Sequence, residues 1–405
     1  MLLSGLLAMS SVTSALAQDA VLYQPSNPAA VFDAGLTALI MKRDAEIENT
    51  PDFLIGPDAA LANFGATDFD YEGGLRGFLA VQLEGIRLEA VFSDFGVWNY
   101  GNSGLLTDGI AWDEGSGGVW GGANLIDLTT PFRGLHAAAA AGLGGDPDES
   151  EGLGPNGGFG DITPTWEVFY KSRLQTFELN LLSQDMEMPF QVGLGYRNLQ
   201  LDEQAGAAFR GTFRADDSVA PNNGLSHVAL TTAGGMTFLS GVPDGFEDEN
   251  GNPSTLPDVV TMLSQATTSN DLNGVQLLFR EQVMYWRGWT IDFVGNAGLY
   301  HNHASGSIGE RHAGFEPVPN GAGSVYGRGI SDSEDRLAFV GGAGLQSSFP
   351  LSQNWSLISG YELLFVHGVA LAPDQFAQYR SGIYNIDTHG QLLAHGANVG
   401  FQFLY

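Results

Sequence analysis

The sequence predicts an all-β chain: a closed antiparallel transmembrane β-barrel of about ten strands, with short periplasmic turns and long acidic extracellular loops. Three observations predict it. Segments of period-two alternation reach or exceed the roughly 9–11 residues that a tilted strand needs to cross hydrocarbon. The links between these segments alternate between tight and long. The last strand places Val399, Phe401, Phe403 and Tyr405 on one face and Asn398, Gly400, Gln402 and Leu404 on the other.

The first candidate strand covers 30–43, where Gly35 to Ile40 alternates only loosely. Strands over 72–83 and 86–94 follow, joined by Glu84-Gly85. The next pair, 167–183 and 189–202, is joined by Gln184 to Met188. Arg287-Gly288 joins 271–285 to 289–301, Leu351 to Gln353 joins 335–349 to 354–369, and 389–405 closes the set. The remaining links, 44–71, 95–166, 203–270, 302–334 and 370–388, are long. With both termini in the periplasm, every tight turn falls inside and every long loop outside, as in outer-membrane barrels. A sandwich or propeller has no reason to sort its loops this way. Ten is an even count; a hairpin hidden in a long loop makes it twelve.

The outward faces agree with a lipid-facing wall. Ile86, Leu88, Ala90 and Phe92 alternate with Arg87, Glu89, Val91 and Ser93. Phe190, Val192, Leu194 and Tyr196 alternate with Gln191, Gly193, Gly195 and Arg197, and Trp289, Ile291 and Phe293 with Thr290, Asp292 and Val294. Trp289 and Trp355 begin strands beside tight turns, where an interfacial aromatic girdle belongs.

Composition sets the outer bounds. Hydrophobic residues make up 43% of the 405 residues and charged residues 15%, a low share for a soluble surface. No run approaches the ~20 apolar residues of a spanning helix, so a spanning chain of this kind must pair its backbone between strands. Gly is abundant at 56 and Cys absent, which removes disulfides, thiolate nucleophiles and Cys-based zinc sites. The net charge of −30 excludes a nucleic-acid partner. Much of that charge lies in the long links. Asp108, Asp113, Glu114, Asp127, Asp146, Asp148, Glu149, Glu151 and Asp161 stand against Arg133 alone in 95–166. Such loops are ordinarily solvated faces, and divalent cations are the partners they suit.

The N-terminus carries an apolar stretch, Leu2 to Val12, then Ser14-Ala15-Leu16-Ala17. This pattern predicts a secretory signal peptide over 1–17, cleaved after Ala17, although the Lys or Arg that usually precedes the apolar stretch is missing. A lead-in over 18–29 and a single barrel domain over 30–405 complete the organisation. A polar residue, a Gly two positions on and two terminal aromatics resemble the signal by which bacterial outer-membrane barrels engage their assembly machinery. Outer-membrane lipid and that machinery are therefore the expected partners.

With the strands placed, the sequence resembles the outer-membrane β-barrel family typical of planctomycete bacteria. The likeness rests on Val192-Gly193-Leu194-Gly195-Tyr196-Arg197 running into Leu201-Asp202-Glu203, on Ser269 to Gln276, and on Gly298-Leu299-Tyr300-His301-Asn302-His303. Its most specific piece is Gly360-Tyr361-Glu362-Leu363-Leu364 followed by Gly368 to Gln375, and His395 to Gly400 closes it. These pieces span roughly the C-terminal half, with weaker likeness around Phe32 to Arg43. The resemblance implies an outer-membrane barrel and no catalytic residues.

Ten strands enclose a narrow tube; eight-stranded barrels are filled by side chains, whereas water-filled porins use sixteen or more. By parity Arg87, Glu89, Glu178, Arg197, Arg280, Asp292 and Glu362 point into it. Charges of both signs in a confined space predict a pairing network, with an ion- or proton-conducting path as the alternative. His301 and His303, two apart on one strand face, can share a transition metal, but no third ligand is evident and His312 falls in an irregular loop. Asp244, Glu247, Asp248, Asn250 and Asn252 are oxygen-rich, yet no Gly and no closing Glu follow in calcium-loop spacing. No Gly-x-Ser-x-Gly, His-Glu-x-x-His or phosphate-binding Gly loop occurs. Ten-stranded barrels can be proteases with Asp and His at the outer rim, so the fold alone does not exclude catalysis. The expectation is a non-enzymatic barrel with a structural or surface-binding role and no cofactor, metal or catalytic site. A narrow pore is the alternative and a hydrolase the remotest reading.

Overall fold

The computed structural model describes residues 32–45, 54–55, 64–65, 67–83, 85–105, 110–112, 124–126, 152–153, 165–183, 190–214, 232–233, 236–237, 241–243, 259–317, 324–378 and 384–405. The predicted signal peptide over 1–17, the predicted lead-in over 18–29 and the oxygen-rich segment from Asp244 to Asn252 lie outside these residues.

Ten long strands form one antiparallel ring: β1 (Phe32–Ala45), β2 (Glu72–Leu83), β3 (Ile86–Leu105), β4 (Thr165–Ser183), β5 (Phe190–Arg214), β6 (Val259–Trp286), β7 (Trp289–Pro317), β8 (Ser324–Pro350), β9 (Trp355–Val369) and β10 (Gly390–Leu404). Each pairs with its sequence neighbours, and β1 pairs with β10 over thirteen residues from Asp33↔Leu404 to Ala45↔Leu392. Reciprocal backbone bonds between Phe32 and Tyr405 finish the seam. The ring is closed, so each of these ten strands has a partner on both sides. The Arg287-Gly288 turn has φ of 49° and 85°, the left-handed pair that a two-residue hairpin demands.

The strands run longer than the sequence reading placed them. Strand continues over 95–105, 203–214, 259–270, 302–317 and 324–334, all within predicted long links. His312 accordingly sits in β7, opposite Met262 and Tyr326, and not in an irregular loop. The reason lies in the alternation, which changes phase part-way up the wall. In β4 the outward residues Phe177, Leu179 and Leu181 are exposed, whereas above them the apolar side chains Leu174, Tyr170, Val168 and Trp166 are buried on the inward face. Outward positions there become Gln175, Arg173 and Lys171. In β5 the outward series Val192, Leu194, Tyr196 likewise gives way to Asn198, Gln200 and Asp202.

This phase change draws the edge of an apolar belt. On its outer surface lie Leu36, Leu79, Leu194, Val275, Leu277, Leu299, Leu337 and Val399, with Val275, Leu277 and Leu337 about two-thirds exposed. A continuous belt of exposed Leu, Val and Phe is tolerable only against lipid, because water would charge its full hydrophobic cost. The barrel therefore spans a membrane, and its strands continue beyond the hydrocarbon with polar outer walls.

At the top of β9 the chain leaves the wall and turns inward. Gly368 has φ +88°, and an added Cβ would lie 3.1 Å from both the Ala338 Cα and the Leu337 oxygen. Replacing Gly368 with valine is expected to destabilise the barrel by about 1–2 kcal/mol or more. A lowered urea midpoint of the folded form checks this.

Candidate functional site

Above the belt, the inward side chains fill the barrel. Leu39 and Met41 from β1, Trp98 from β3, Trp166, Val168, Tyr170 and Leu174 from β4, Leu199 and Leu201 from β5, and Tyr300 and Ile308 from β7 form one buried apolar cluster. Two segments that the sequence reading left as external loops fold into it. Residues 64–65 and 67–71 bring Phe64 and Phe69. Residues 370–378, which include a short helix α1 (Gln375–Gln378), and 384–389 bring Leu371, Phe376, Tyr384 and Ile386. Phe64 stacks on Phe376 with ring centroids 5.9 Å apart and meets Tyr170 edge-on. The outer half of the lumen is thus a hydrophobic core, and burial pushes the Tyr384 and Tyr170 hydroxyls well above the usual tyrosine range.

The plug is pinned by polar groups that cross the barrel. Arg43 on β1 reaches Glu203 on β5, with Nη1 2.6 Å from Oε1 and both side chains fully buried. The second Arg43 nitrogen donates to the Tyr170 hydroxyl at 2.7 Å, which in turn donates to Glu203 at 2.9 Å. Ser172 and the backbone N–H of Ala372 also donate to Glu203, so the infolded segment hangs on this carboxylate. Asn270 on β6 clasps Ala370 in both directions, its amide donating to the carbonyl at 2.9 Å and its oxygen accepting the N–H at 2.7 Å. Asn302 on β7 donates to Asn270 and to the Gly368 carbonyl. Inside the segment, Gln375 bridges the Leu371 and Asp387 carbonyls.

Glu203, Asn270, Asn302 and the run from Gly368 to Gln375 are far apart in sequence and converge on one latch. The sequence reading assigned Glu203 to an acidic external loop; the structure buries it, because the strand continues and inward parity carries through. It also passed over Arg43 and Tyr170. The signal that could have found Tyr170 is its place in the inverted series from Trp166 to Leu174.

Below the plug, within the belt, lies a cavity of about 240 Å³. All seven predicted inward charges line it: Arg87, Glu89, Glu178, Arg197, Arg280, Asp292 and Glu362. Five of them, Arg87, Glu89, Glu178, Arg197 and Glu362, are in ion pairs, as expected. Arg197 bonds Glu178 at 2.5 Å, and Arg87 bonds Asp33 at 2.7 Å and Glu89 at 3.0 Å. Arg76 on β2 crosses to Glu362 on β9 at 2.7 Å. Parity within 72–83 assigns Arg76 the same inward face, a residue the sequence reading did not name. Gln276 and Gln402 satisfy further oxygens of Glu178 and Asp33. Arg280 and Asp292 are near neighbours on adjacent strands β6 and β7.

His301 and His303 share one face of β7 just above the belt, and the structure shows that face to be the outer wall. The structure adds a carboxylate: Asp335 Oδ1 on β8 lies 2.8 Å from His303 Nδ1 and 3.7 Å from His301 Nε2. The hydrogen bond with His303 holds the Asp335 carboxyl below the usual carboxylate range.

No family model matches the chain, and no curated protein matches it. Solved structures that resemble it include the outer membrane protease OmpT from Escherichia coli, at 10% identity and a TM-score of 0.36, covering 96% of this chain and 99% of that one. A major outer membrane protein from Thermus thermophilus follows at 9% identity and a TM-score of 0.28, covering 92% of this chain and 99% of that one. Neisserial surface protein A shows 7% identity and a TM-score of 0.24, covering 94% of this chain and 100% of that one. With TM-scores below 0.5, none of these likenesses bears on mechanism or ligand; the barrel rests on its own closed ring of strands.

Proposed function

We propose that the chain is an outer-membrane barrel of a bacterium with a structural or surface-binding, non-catalytic role, carried by the loops on its outer rim and not by conduction through its lumen. One observation carries this reading. The outer half of the lumen is a packed apolar core with Phe64, Trp98, Tyr170 and Phe376 buried to within 2% exposure, and the Arg43–Glu203 bond crosses it. A path for ions needs continuous water, and burying an unpaired ion in such a core costs several kcal/mol. Most of the charges below the core are engaged in ion pairs, which favours a structural network over a relay.

The same reading gives the other parts of the chain their roles. The last strand β10, with Val399 and Phe401 exposed on its outer face and Tyr405 exposed just beyond its end, is the segment that would engage the barrel assembly machinery. The acidic links suit divalent cations at the cell surface. Membership of the planctomycete-type family fits the position of its most specific residues at the plug latch.

Planar-bilayer recording on the refolded full chain tests the proposal. The expected result is no step conductance at moderate voltage. Steady ohmic channels from the wild-type chain would overturn it and favour the narrow pore.

A further inference from the structure

We infer that the outer wall of the barrel carries a binding site for a divalent transition-metal ion of the copper, nickel and zinc class, formed by His301, His303 and Asp335 with Asp271 at its margin. The backbone fixes the arrangement. His301 and His303 are two apart on β7 and stand on one face of the strand. Register places His303 directly between Asp271 on β6 and Asp335 on β8, and His301 beside Asn273. Directly opposed antiparallel residues hold their Cβ atoms about 4.5–5.5 Å apart, which is the span of ligands around one ion.

The side chains already lean together. Both imidazoles face the same Asp335 oxygen, at 2.8 and 3.7 Å. Asn198 and Asn273 both donate to the Oδ1 atom of Asp271, which orients its carboxylate. Among the described residues no three ligating side chains yet converge on a single point. The site is therefore set by register and completed by rotation of side chains that are 58–65% exposed and have room to turn. Two imidazole nitrogens and a carboxylate are the donor set preferred by late first-row divalent ions, and less so by calcium or magnesium, which take oxygen alone. Hydrogen bonding of Asp271 to two amides supplies the outer support that metal-binding carboxylates ordinarily have.

Continuous-wave electron paramagnetic resonance of the tag-free, refolded full chain with one equivalent of Cu2+ tests this. Nitrogen ligation that disappears with these two histidines separates the site from the acidic links, whose own His136 and His227 the double variant retains. The expected spectrum shows splitting from two imidazole nitrogens, lost in the H301Q/H303Q double variant. Asp335→Asn is expected to weaken Cu2+ binding by about tenfold or more. The single variant H303Q gives an independent reading, and heat-modifiable gel mobility reports that each variant is folded. An oxygen-only spectrum from the wild type, or an unchanged two-nitrogen spectrum in the folded double variant, would overturn the assignment.

Discussion

Replacing Arg43 with alanine is expected to cost the barrel about 3–5 kcal/mol, the usual penalty for stranding one member of a buried ion pair. Arg43 and Glu203 are both 0% exposed, so the carboxylate left behind would have no water to turn to. Its remaining partners, Tyr170, Ser172 and the Ala372 N–H, donate hydrogen bonds without neutralising its charge. The guanidinium also lies 5.3 Å above the Phe69 ring and 5.1 Å above the Tyr170 ring, contacts that alanine removes. Equilibrium unfolding in urea from lipid vesicles reads the loss, with Trp98 and Trp166 as buried reporters. The double variant R43M/E203L should recover part of it, because an apolar pair of similar volume is often neutral or better. Recovery stays partial, since Ala372 and Tyr170 lose their acceptor. If Arg43→Ala cost less than about 1 kcal/mol, Glu203 would have to be hydrated and the plug wet.

The second large effect lies on the outside. Leu79 stands near the middle of the belt on β2, 57% exposed and facing outward between Ala34 on β1 and Ala90 on β3. Replacing it with arginine is expected to cost about 2–4 kcal/mol, the depth-dependent cost of a cation facing hydrocarbon at the mid-plane. Gln200→Arg, on the outer wall of β5 above the belt, is expected to fall within about 0.5 kcal/mol of wild type. The contrast matters more than either value. A soluble barrel would accept both arginines on its wetted surface, and only a lipid-facing belt separates them.

Most of the wall was legible in the sequence, because a lipid-facing strand repeats every two residues and its turns are short. Strand 72–83 matches in both bounds, and the inward charges follow from parity alone. What escaped was physical. Above the membrane edge the apolar residues move to the inner face, so Trp166, Val168 and Tyr170 fall out of phase with Phe177, Leu179 and Leu181. Alternation keyed to apolar-outward residues still marks 167–183, but it loses its signal past this edge on the other strands, so 203–214, 259–270, 302–317 and 324–334 read as loop. The plug escaped for a different reason. Arg43 and Glu203 sit on strands four apart around the ring, and no local period reports a contact across a barrel. Asp335 was hidden in the same way. Its register against His303 depends on how far β7 and β8 extend past the membrane edge, and neither residue's neighbours in sequence reveal it. Phe64 and Phe376 lie in links that read as surface, yet a ten-stranded tube needs side chains to fill it, and these two segments supply them.

The chain has no cysteine, so single cysteines carrying a nitroxide can be walked along β5 without background. Collision rates with dissolved oxygen and with a water-soluble nickel chelate would be measured in vesicles at Val192, Leu194, Tyr196, Asn198, Gln200 and Asp202. A lipid-facing belt predicts that oxygen dominates at the first three positions and the chelate at the last three. Equal access of the chelate to all six would contradict a membrane-spanning wall and the topology that rests on it.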